Sequence, residues 1–296
     1  MTDLKLLDGA MGSEFIRRGE ILPPHTWSAD VNLTNPALLY DIYQEYVAAG
    51  VDYLTTNTFR TTPRAYQKTG LSYEEAHKVA QISMHNAVKM TRKASNDSIK
   101  ILGSIAPLED CYSPNLFPGE DLATKEFSVI TEWLAGEKID IFLLETMNNI
   151  LETKTCLDVV AKYKLPIWVS FNLSDSNHIQ SGEKLKEAIQ MTENFPIDCI
   201  LLNCNPLNRT LGALETLASY CSGKWGIYPN LGVGEPSPDG IIKNYHSDAE
   251  FLDLIKNAVG LGVTVIGGCC GSSPRHIELL KNLISVSYTH LRAHET

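Results

Sequence analysis

The chain has 296 residues, of which 44% are hydrophobic and 20% are charged, and its formal net charge is -10 at pH 7. This composition is typical of a globular protein and excludes extensive disorder. The acidic balance, without clusters of Lys or Arg, argues against a nucleic-acid partner or an anionic membrane, because both are bound through such clusters. We therefore expect a small-molecule substrate.

The N-terminus and the cysteines indicate the compartment. Residues 1–5 lack the basic and then apolar layout of a signal peptide, and no apolar run is long enough to cross a bilayer. We therefore expect a cytoplasmic protein. In that compartment we do not expect its seven irregularly spaced cysteines to form a disulfide framework, and we interpret some of them as metal ligands.

Apolar, strand-like runs alternate along the chain with segments of helical periodicity, the pattern of repeated βα units. We predict strands at 4–10, 52–58, 100–106, 139–146, 166–172, 199–204, 225–230 and 263–269. We predict the main helices at 36–49, 74–94, 124–137, 150–163, 184–193, 211–220, 248–259 and 274–283. Eight such units without a break in composition predict a single-domain (β/α)8 TIM barrel, with a doubly wound open sheet as the alternative. The barrel is favoured because the strands end in polar or reactive residues, which a barrel gathers on one rim.

The predicted barrel domain spans residues 1–284. The remaining stretch, 285–296, does not continue the apolar face of the preceding helix. We interpret it as a frayed or non-native tail and exclude it from the fold.

Two adjacent cysteines, Cys269 and Cys270, end the last predicted strand between glycines. Neighbouring side chains of a strand point to opposite faces, so both thiols can serve one site only where the backbone leaves strand geometry, as flanking glycines permit. Cys204 ends another apolar strand, and a barrel would bring it to the same rim. Three thiolates at strand ends suggest a zinc ion with one position open. The alternative is a redox-active cysteine pair in a metal-free barrel. Cys111, in a rim loop, is not included among the ligands.

Two carboxylates also follow apolar strands, Asp8 before a glycine turn and Glu145 before Thr146. A carboxylate at the end of a buried strand costs desolvation energy, which is acceptable if it meets a cation such as an amino group. The alternative for both is capping of the next helix. An amino-acid substrate would use both features, with its carboxylate on backbone N–H groups and its ammonium on Glu145.

An ordered set of motifs resembles the homocysteine S-methyltransferase family, which includes S-methylmethionine-dependent and betaine-dependent enzymes and the homocysteine domain of cobalamin-dependent methionine synthase. The resemblance covers nearly the whole chain except its tail. The motifs include Leu7-Asp8-Gly9-Ala10-Met11, Thr55-Thr56-Asn57-Thr58-Phe59, Leu144-Glu145-Thr146, Asn203-Cys204, Tyr228-Pro229-Asn230 and Gly267-Gly268-Cys269-Cys270-Gly271.

The resemblance implies a zinc-dependent barrel enzyme in which Cys204, Cys269 and Cys270 are the metal ligands. These cysteines would act catalytically by activating the thiol of L-homocysteine, which would enter as the next sulfur ligand. The family also implies that Asp8, Gly9 and Glu145 hold the polar end of the amino acid. We predict Met11, Asn57 and Asn230, which lie in matching motifs, as further substrate contacts.

The favoured reaction is the formation of methionine with S-methylmethionine or S-adenosylmethionine as the methyl donor. Segments such as Trp27-Ser28-Ala29 resemble the single-domain branch of the family, and no folate or cobalamin domain is expected. A betaine-type donor is one alternative. Another is a homocysteine-activating module that works with a separate corrinoid or folate protein. The sequence predicts neither the donor nor the oligomeric state.

Overall fold

The computed structural model describes residues 4–234 and 240–292, with side chains as far as Ser285. Within these ranges the strands are β1 (Lys5–Leu6), β2 (Tyr53–Thr55), β3 (Lys100–Ile105), β4 (Ile141–Met147), β5 (Ile167–Phe171), β6 (Ile197–Asn203), β7 (Lys224–Tyr228) and β8 (Val265–Ile266).

These strands form one parallel sheet in the order β1-β8-β7-β6-β5-β4-β3-β2. The sheet closes on itself between β1 and β2. Leu7 and Tyr53 form a parallel bridge there, and the Asp52 N–H donates to the Leu6 carbonyl over 2.8 Å. The predicted (β/α)8 barrel is therefore confirmed, and the open-sheet alternative is wrong.

Helices connect and surround the strands of the barrel. Their bounds are α1 (Gly12–Arg17), α2 (Val31–Thr34), α3 (Pro36–Ala48), α4 (Pro63–Gln67), α5 (Tyr73–Ala94), α6 (Glu120–Gly136), α7 (Ile150–Val160), α8 (Leu185–Thr192), α9 (Leu207–Tyr220), α10 (Asp248–Gly260) and α11 (Pro274–Arg292). Two short 3-10 helices lie at Trp27–Asp30 and Pro114–Leu116. No helix of the described part of the chain is long and apolar enough to cross a membrane.

The eight predicted helices correspond to α3 and α5–α11, whereas α1, α2 and α4 lie in loops where no helix was expected. The last helix, α11, continues to Arg292, well past the predicted end at residue 283. Residues 293–296 of the predicted tail lie outside the described residues. The division of the chain at residue 284 stays a prediction.

The barrel interior is filled by side chains from alternate positions of the strands, including Leu102, Leu143, Trp168 and Leu201. The Trp168 indole packs edge-on against Tyr53, with ring centroids 4.7 Å apart. A second and larger apolar core lies between the strands and the helices. Because both faces of each strand are covered, β4 and β5 are almost continuously apolar. The site is built above this packed interior, where the strands end.

Candidate active site

A cavity of about 610 Å³ opens at the carboxyl ends of the strands. All but one of the predicted site residues line it: Asp8, Gly9, Met11, Asn57, Glu145, Cys204, Cys269 and Cys270. The exception is Asn230, whose side chain lies behind Cys204. The carboxyl ends of the barrel strands therefore bring together residues that are up to 262 positions apart in the sequence.

The Cys204, Cys269 and Cys270 thiols converge on one point of this cavity. The Cys204 Sγ atom lies 3.0 Å from that of Cys269 and 3.6 Å from that of Cys270, and all three cysteines are free. Cys204 follows β6 in the left-handed region, with a φ of 57°, and Gly271 has a φ of 85°. The backbone thus leaves strand geometry at both places, as the glycine-flanked pair predicted. The three sulfur atoms form a group that could hold a metal ion.

Close approach makes the protonation of the three thiols interdependent. Hydrogen bonds from Cys204 and Cys269 lower the pKa of Cys270, because they stabilise its thiolate. Hydrogen bonds to the same two neighbours, together with burial, raise the pKa of Cys204. A bound metal cation would favour the thiolate form of all three cysteines, since a coordinated thiol is deprotonated.

Two asparagines hold the unusual backbone of Cys204. Asn172 Nδ2 donates to the Cys204 carbonyl over 3.3 Å and Asn230 Nδ2 over 3.0 Å. A non-glycine residue in the left-handed region is strained unless its surroundings fix it, and these two bonds supply that restraint. The Oδ1 atoms of both asparagines are buried without a hydrogen-bond partner among the described residues.

Asn203, directly before Cys204, links three strands. Its Oδ1 accepts from the Thr146 N–H (3.1 Å) and from Ser170 Oγ (2.6 Å), and its Nδ2 donates to Thr146 Oγ1 (2.7 Å). Thr146 is itself in the left-handed region, with a φ of 59°, and follows Glu145. Asn203 therefore fixes the position of Cys204 relative to Glu145.

The two predicted carboxyl groups occupy the same cavity. Asp8 Oδ2 accepts from the Thr55 N–H over 2.7 Å, and Glu145 Oε2 accepts from Ser104 Oγ over 2.6 Å. Burial raises the pKa of Asp8 well above its usual range, and the nearby charge of Glu145 adds a smaller increase. Burial and the Cys270 charge raise the pKa of Glu145 to about 7. An ammonium group in the cavity would stabilise both carboxylates.

Helix capping does not explain these carboxylates. The N-cap of α1 is Met11, which makes no side-chain capping bond. The N-cap of α7 is Asn149, whose Oδ1 accepts from the Glu152 N–H over 2.7 Å. The capping alternative is therefore wrong for both residues.

The loop after β1 is packed tightly against its neighbours. A Cβ atom at Gly9 would lie 2.7 Å from both Ser272 Oγ and the Tyr46 hydroxyl oxygen. Ser272 Oγ accepts from the Ala10 N–H, and the Tyr46 hydroxyl donates to the Ala10 carbonyl, each over 2.9 Å. The N–H groups of Gly9 and Met11 have no partner within the part of the chain that the structure describes. Both residues line the cavity, so their N–H groups are candidates for binding an acceptor there.

Asn57 lines the cavity with an amide that is already fully bonded. Its Nδ2 donates to the Ser28 carbonyl (2.8 Å) and to Asn32 Oδ1 (2.7 Å), and its Oδ1 accepts from Ser28 Oγ (2.7 Å). This arrangement favours a structural role in the cavity wall over a direct polar contact.

Several lining residues were not predicted as parts of the site. Tyr112 lies in the loop after β3, and its buried hydroxyl has no partner among the described residues. Cys111 beside it also lines the cavity but does not join the three-cysteine group. No periodic pattern marks these positions, because a loop rather than a strand end carries them.

The profile of the homocysteine S-methyltransferase family matches residues 5–284. The chain belongs to this family. The homocysteine S-methyltransferase of Escherichia coli K12 is 28% identical to it over 94% of each chain. A selenocysteine Se-methyltransferase of Brassica oleracea var. italica is 26% identical, over 95% of this chain and 90% of that relative.

Solved structures show that the similarity includes the fold of nearly the whole chain. The metallated form of the homocysteine methyltransferase MmuM from Escherichia coli superposes with a TM-score of 0.81 at 25% identity. The match covers 95% of this chain and 96% of that one. The oxidised form of the same protein gives the same TM-score. Family membership, a metallated relative and the three-cysteine group together support a metal site in this chain.

Proposed function

We propose that this protein transfers a methyl group from a small sulfonium donor to the thiol of L-homocysteine, giving methionine. S-Methylmethionine and S-adenosylmethionine are the donors we favour. The observation that carries the proposal is the convergence of three thiols, within 4.8 Å of one another, in the cavity that also holds Asp8 and Glu145. A substrate with a thiol and an amino-acid end matches this site, because the thiol suits the three cysteines and the ammonium group suits the two carboxylates.

Zinc is the cofactor that fits the three cysteines. Thiolates are preferred zinc ligands, and a site with three protein ligands leaves a position for the substrate. When bound, zinc would keep a coordinated thiol deprotonated near neutral pH. Cys204, Cys269 and Cys270 would hold it, in a reducing cytoplasm that keeps them free.

The amino-acid end of homocysteine would lie between the loop after β1 and the end of β4. Glu145 and Asp8 would bind its ammonium group, whose positive charge stabilises both buried carboxylates. The free N–H groups of Gly9 and Met11 would bind its carboxylate. Asn57 and Asn230 would not contact the substrate through their side-chain amides. Asn57 would support the cavity wall, and Asn230 would support the backbone of Cys204.

The chemical step needs no protein base once the thiol has lost its proton. The homocysteine sulfur would attack the methyl carbon in line with the bond to the donor sulfur. A new C–S bond forms as the old one breaks, and its electron pair stays on the donor, which leaves as a neutral thioether. The chain's part is to orient the two sulfur atoms and, with Trp27 and Tyr228 on the cavity wall, to limit the entry of water.

Methionine formation by the purified, zinc-loaded protein tests this proposal. L-Homocysteine would be supplied with S-methylmethionine, S-adenosylmethionine, glycine betaine or a methylated corrinoid, each in a separate assay. We expect turnover with a sulfonium donor. Turnover with glycine betaine alone would show that the donor is of the betaine type and not a sulfonium compound. Turnover with the methylated corrinoid alone would identify a homocysteine-activating module.

Cysteine variants separate the metal site from a redox site. Cys270→Ser is expected to lose both the bound zinc and methionine formation. Cys221→Ser, which changes a half-buried thiol outside the cavity, is the matched control and should keep both. Zinc content and activity retained in Cys270→Ser would contradict the proposal.

A further inference from the structure

Arg60 is a cation on the cavity wall that has no acidic partner among the residues that the structure describes. It lies in the loop after β2, and its Nη1 donates to the carbonyls of Pro107 (3.2 Å) and Glu109 (2.7 Å). Its guanidinium packs over the Phe59 ring at 5.1 Å. No carboxylate of the described residues lies within salt-bridge distance of it. Two carbonyls therefore hold the guanidinium in place, and no carboxylate of the described residues contacts it directly.

The remaining nitrogens of Arg60 can be reached by a ligand. Nε and Nη2 make no hydrogen bond within the described ranges, and neither belongs to the buried polar atoms that lack a partner. They are therefore not fully buried, and Arg60 lines the cavity. A guanidinium presents such donors in a planar fork that suits a carboxylate.

Two neighbouring cations are already paired: Arg64, which does not line the cavity, and Lys68, which does. Arg64 bonds to Glu109 over 2.9 Å and, through Nε and Nη2, to both oxygens of the Glu126 carboxylate. Lys68 pairs with Glu109. Arg60 also lines the cavity, but no carboxylate in the described part of the chain pairs with it.

The acidic groups near Arg60 are likewise engaged elsewhere. Asp110 accepts from the Tyr112 N–H (3.3 Å) and Ser113 Oγ (2.9 Å). Glu152 is buried, feels the charge of Arg60, and accepts from the Leu108 N–H over 2.8 Å. These carboxylates shape the loop after β3 and do not bond to the guanidinium.

The cavity carries charges of both signs. Asp8 and Glu145 line it together with the cysteines, and Arg60 also lines it. Cys111, which lies within electrostatic range of both Arg60 and Cys270, lines the same cavity. A cationic donor atom is drawn towards Asp8 and Glu145 and repelled by Arg60, whereas a carboxylate is drawn the opposite way.

We infer that Arg60 binds the carboxylate of the methyl donor and selects sulfonium donors that carry one. The inference rests on the proposed function and names the part of the donor that the site recognises. The donor would lie with its carboxylate on Arg60 Nε and Nη2 and its sulfonium methyl group towards the cysteines. S-Methylmethionine and S-adenosylmethionine both satisfy this rule, and a sulfonium without a carboxylate does not.

The test compares S-methylmethionine with its methyl ester, which keeps the sulfonium and removes the negative charge. Both are assayed with the zinc-loaded wild type, Arg60→Met and Arg60→Lys, at saturating homocysteine. Lys68→Met is the matched control, because it removes a neighbouring cation that already has a partner. Thermal unfolding of each variant shows whether loss of the bonds to Pro107 and Glu109 has disturbed the fold.

We expect the wild type to favour the free carboxylate by about 10- to 100-fold in kcat/KM, the range for a charge-assisted bond. Arg60→Met should lose this preference, Arg60→Lys should keep part of it, and the KM for homocysteine should not change. Lys68→Met should behave as the wild type. A preference that survives in Arg60→Met, or an equal loss with both donors, would overturn the inference.

Direct binding separates this inference from the proposed function. Both compounds are titrated calorimetrically into the wild type and Arg60→Met. If no sulfonium donor supports turnover, the proposed function fails. Tighter binding of the free carboxylate that disappears in Arg60→Met would still support the role of Arg60, and equal binding of the two compounds would overturn it.

Discussion

Asn203 bonds to Thr146 through both ends of its amide group. Its Oδ1 accepts from the Thr146 N–H over 3.1 Å, and its Nδ2 donates to Thr146 Oγ1 over 2.7 Å. Asn203 precedes Cys204 and Thr146 follows Glu145 in the chain. One pair of side chains thereby sets the position of a proposed metal ligand relative to a proposed ammonium-binding carboxylate.

Replacing Asn203 by Ala should weaken both stability and substrate binding. The Thr146 N–H and the Ser170 hydroxyl would lose a buried acceptor, which costs about 1–3 kcal/mol of unfolding free energy for each unsatisfied group. The KM for homocysteine should also rise, because Glu145 and Cys204 lose their common support. Urea unfolding and initial-rate kinetics measure the two effects.

Asn257→Ala is the matched control for this change, since the exposed Asn257 amide bonds, among the described residues, only to a carbonyl of its own helix. Its unfolding free energy should stay within about 0.5 kcal/mol of the wild type. An Asn203→Ala protein with unchanged stability and an unchanged KM would show that the bonds to Thr146 do not support the site.

Gly9→Ala should impair homocysteine binding while leaving zinc binding intact. The added Cβ would lie 2.7 Å from both Ser272 Oγ and the Tyr46 hydroxyl, so the loop that carries Asp8 must shift. Overpacking of this kind costs about 1–3 kcal/mol. Gly136→Ala is the control, because nothing lies within 4 Å of a Cβ at that position. Equal homocysteine affinity in the two variants would contradict the role given to Gly9.

Glu152 should make the stability of the protein depend on pH. Burial raises its folded-state pKa to about 7, above the value near 4.3 expected in the unfolded chain. The folded state therefore binds the proton more tightly, so the stabilising contribution is complete below about pH 4.3 and is lost as the pH rises through about 7. Between pH 5 and 8, Glu152→Gln should show a smaller decline in unfolding free energy than the wild type.

Glu250→Gln is the control, because the pKa of Glu250 is shifted in the opposite direction to that of Glu152. Bonds from Ser247 lower the pKa of the exposed Glu250 to about 2. Its stabilising contribution is present above the unfolded pKa and is lost only as the pH falls towards about 2, so the slope between pH 5 and 8 should not change. Parallel stability curves for the wild type and Glu152→Gln would refute the assignment to Glu152.

Much of the fold could be predicted because buried parallel strands are continuous apolar runs. The eight strands and eight main helices followed from that pattern. The short helices α1, α2 and α4 were missed because four to six residues show no helical period. The observed β1 and β8 are two-residue strands, much shorter than predicted, since the chain leaves the sheet early to form the site.

The sequence predicted which residues reach the rim better than it predicted where each side chain points. The adjacent, glycine-flanked cysteines could be assigned because only a departure from strand geometry lets them converge. Asn230 also follows a strand, but its side chain turns behind Cys204 and bonds to the backbone there. Tyr112, Ser272 and Arg60 reach the site from loops, whose paths depend on tertiary packing and carry no periodic signal.

X-ray absorption at the zinc edge tests the central claim most directly, because it counts the sulfur atoms bound to the metal. The zinc-loaded protein should show three sulfur neighbours, supplied by Cys204, Cys269 and Cys270, and addition of L-homocysteine should raise the number to four. A number that stays at three when homocysteine is bound, or a number below three before it is added, would contradict the account.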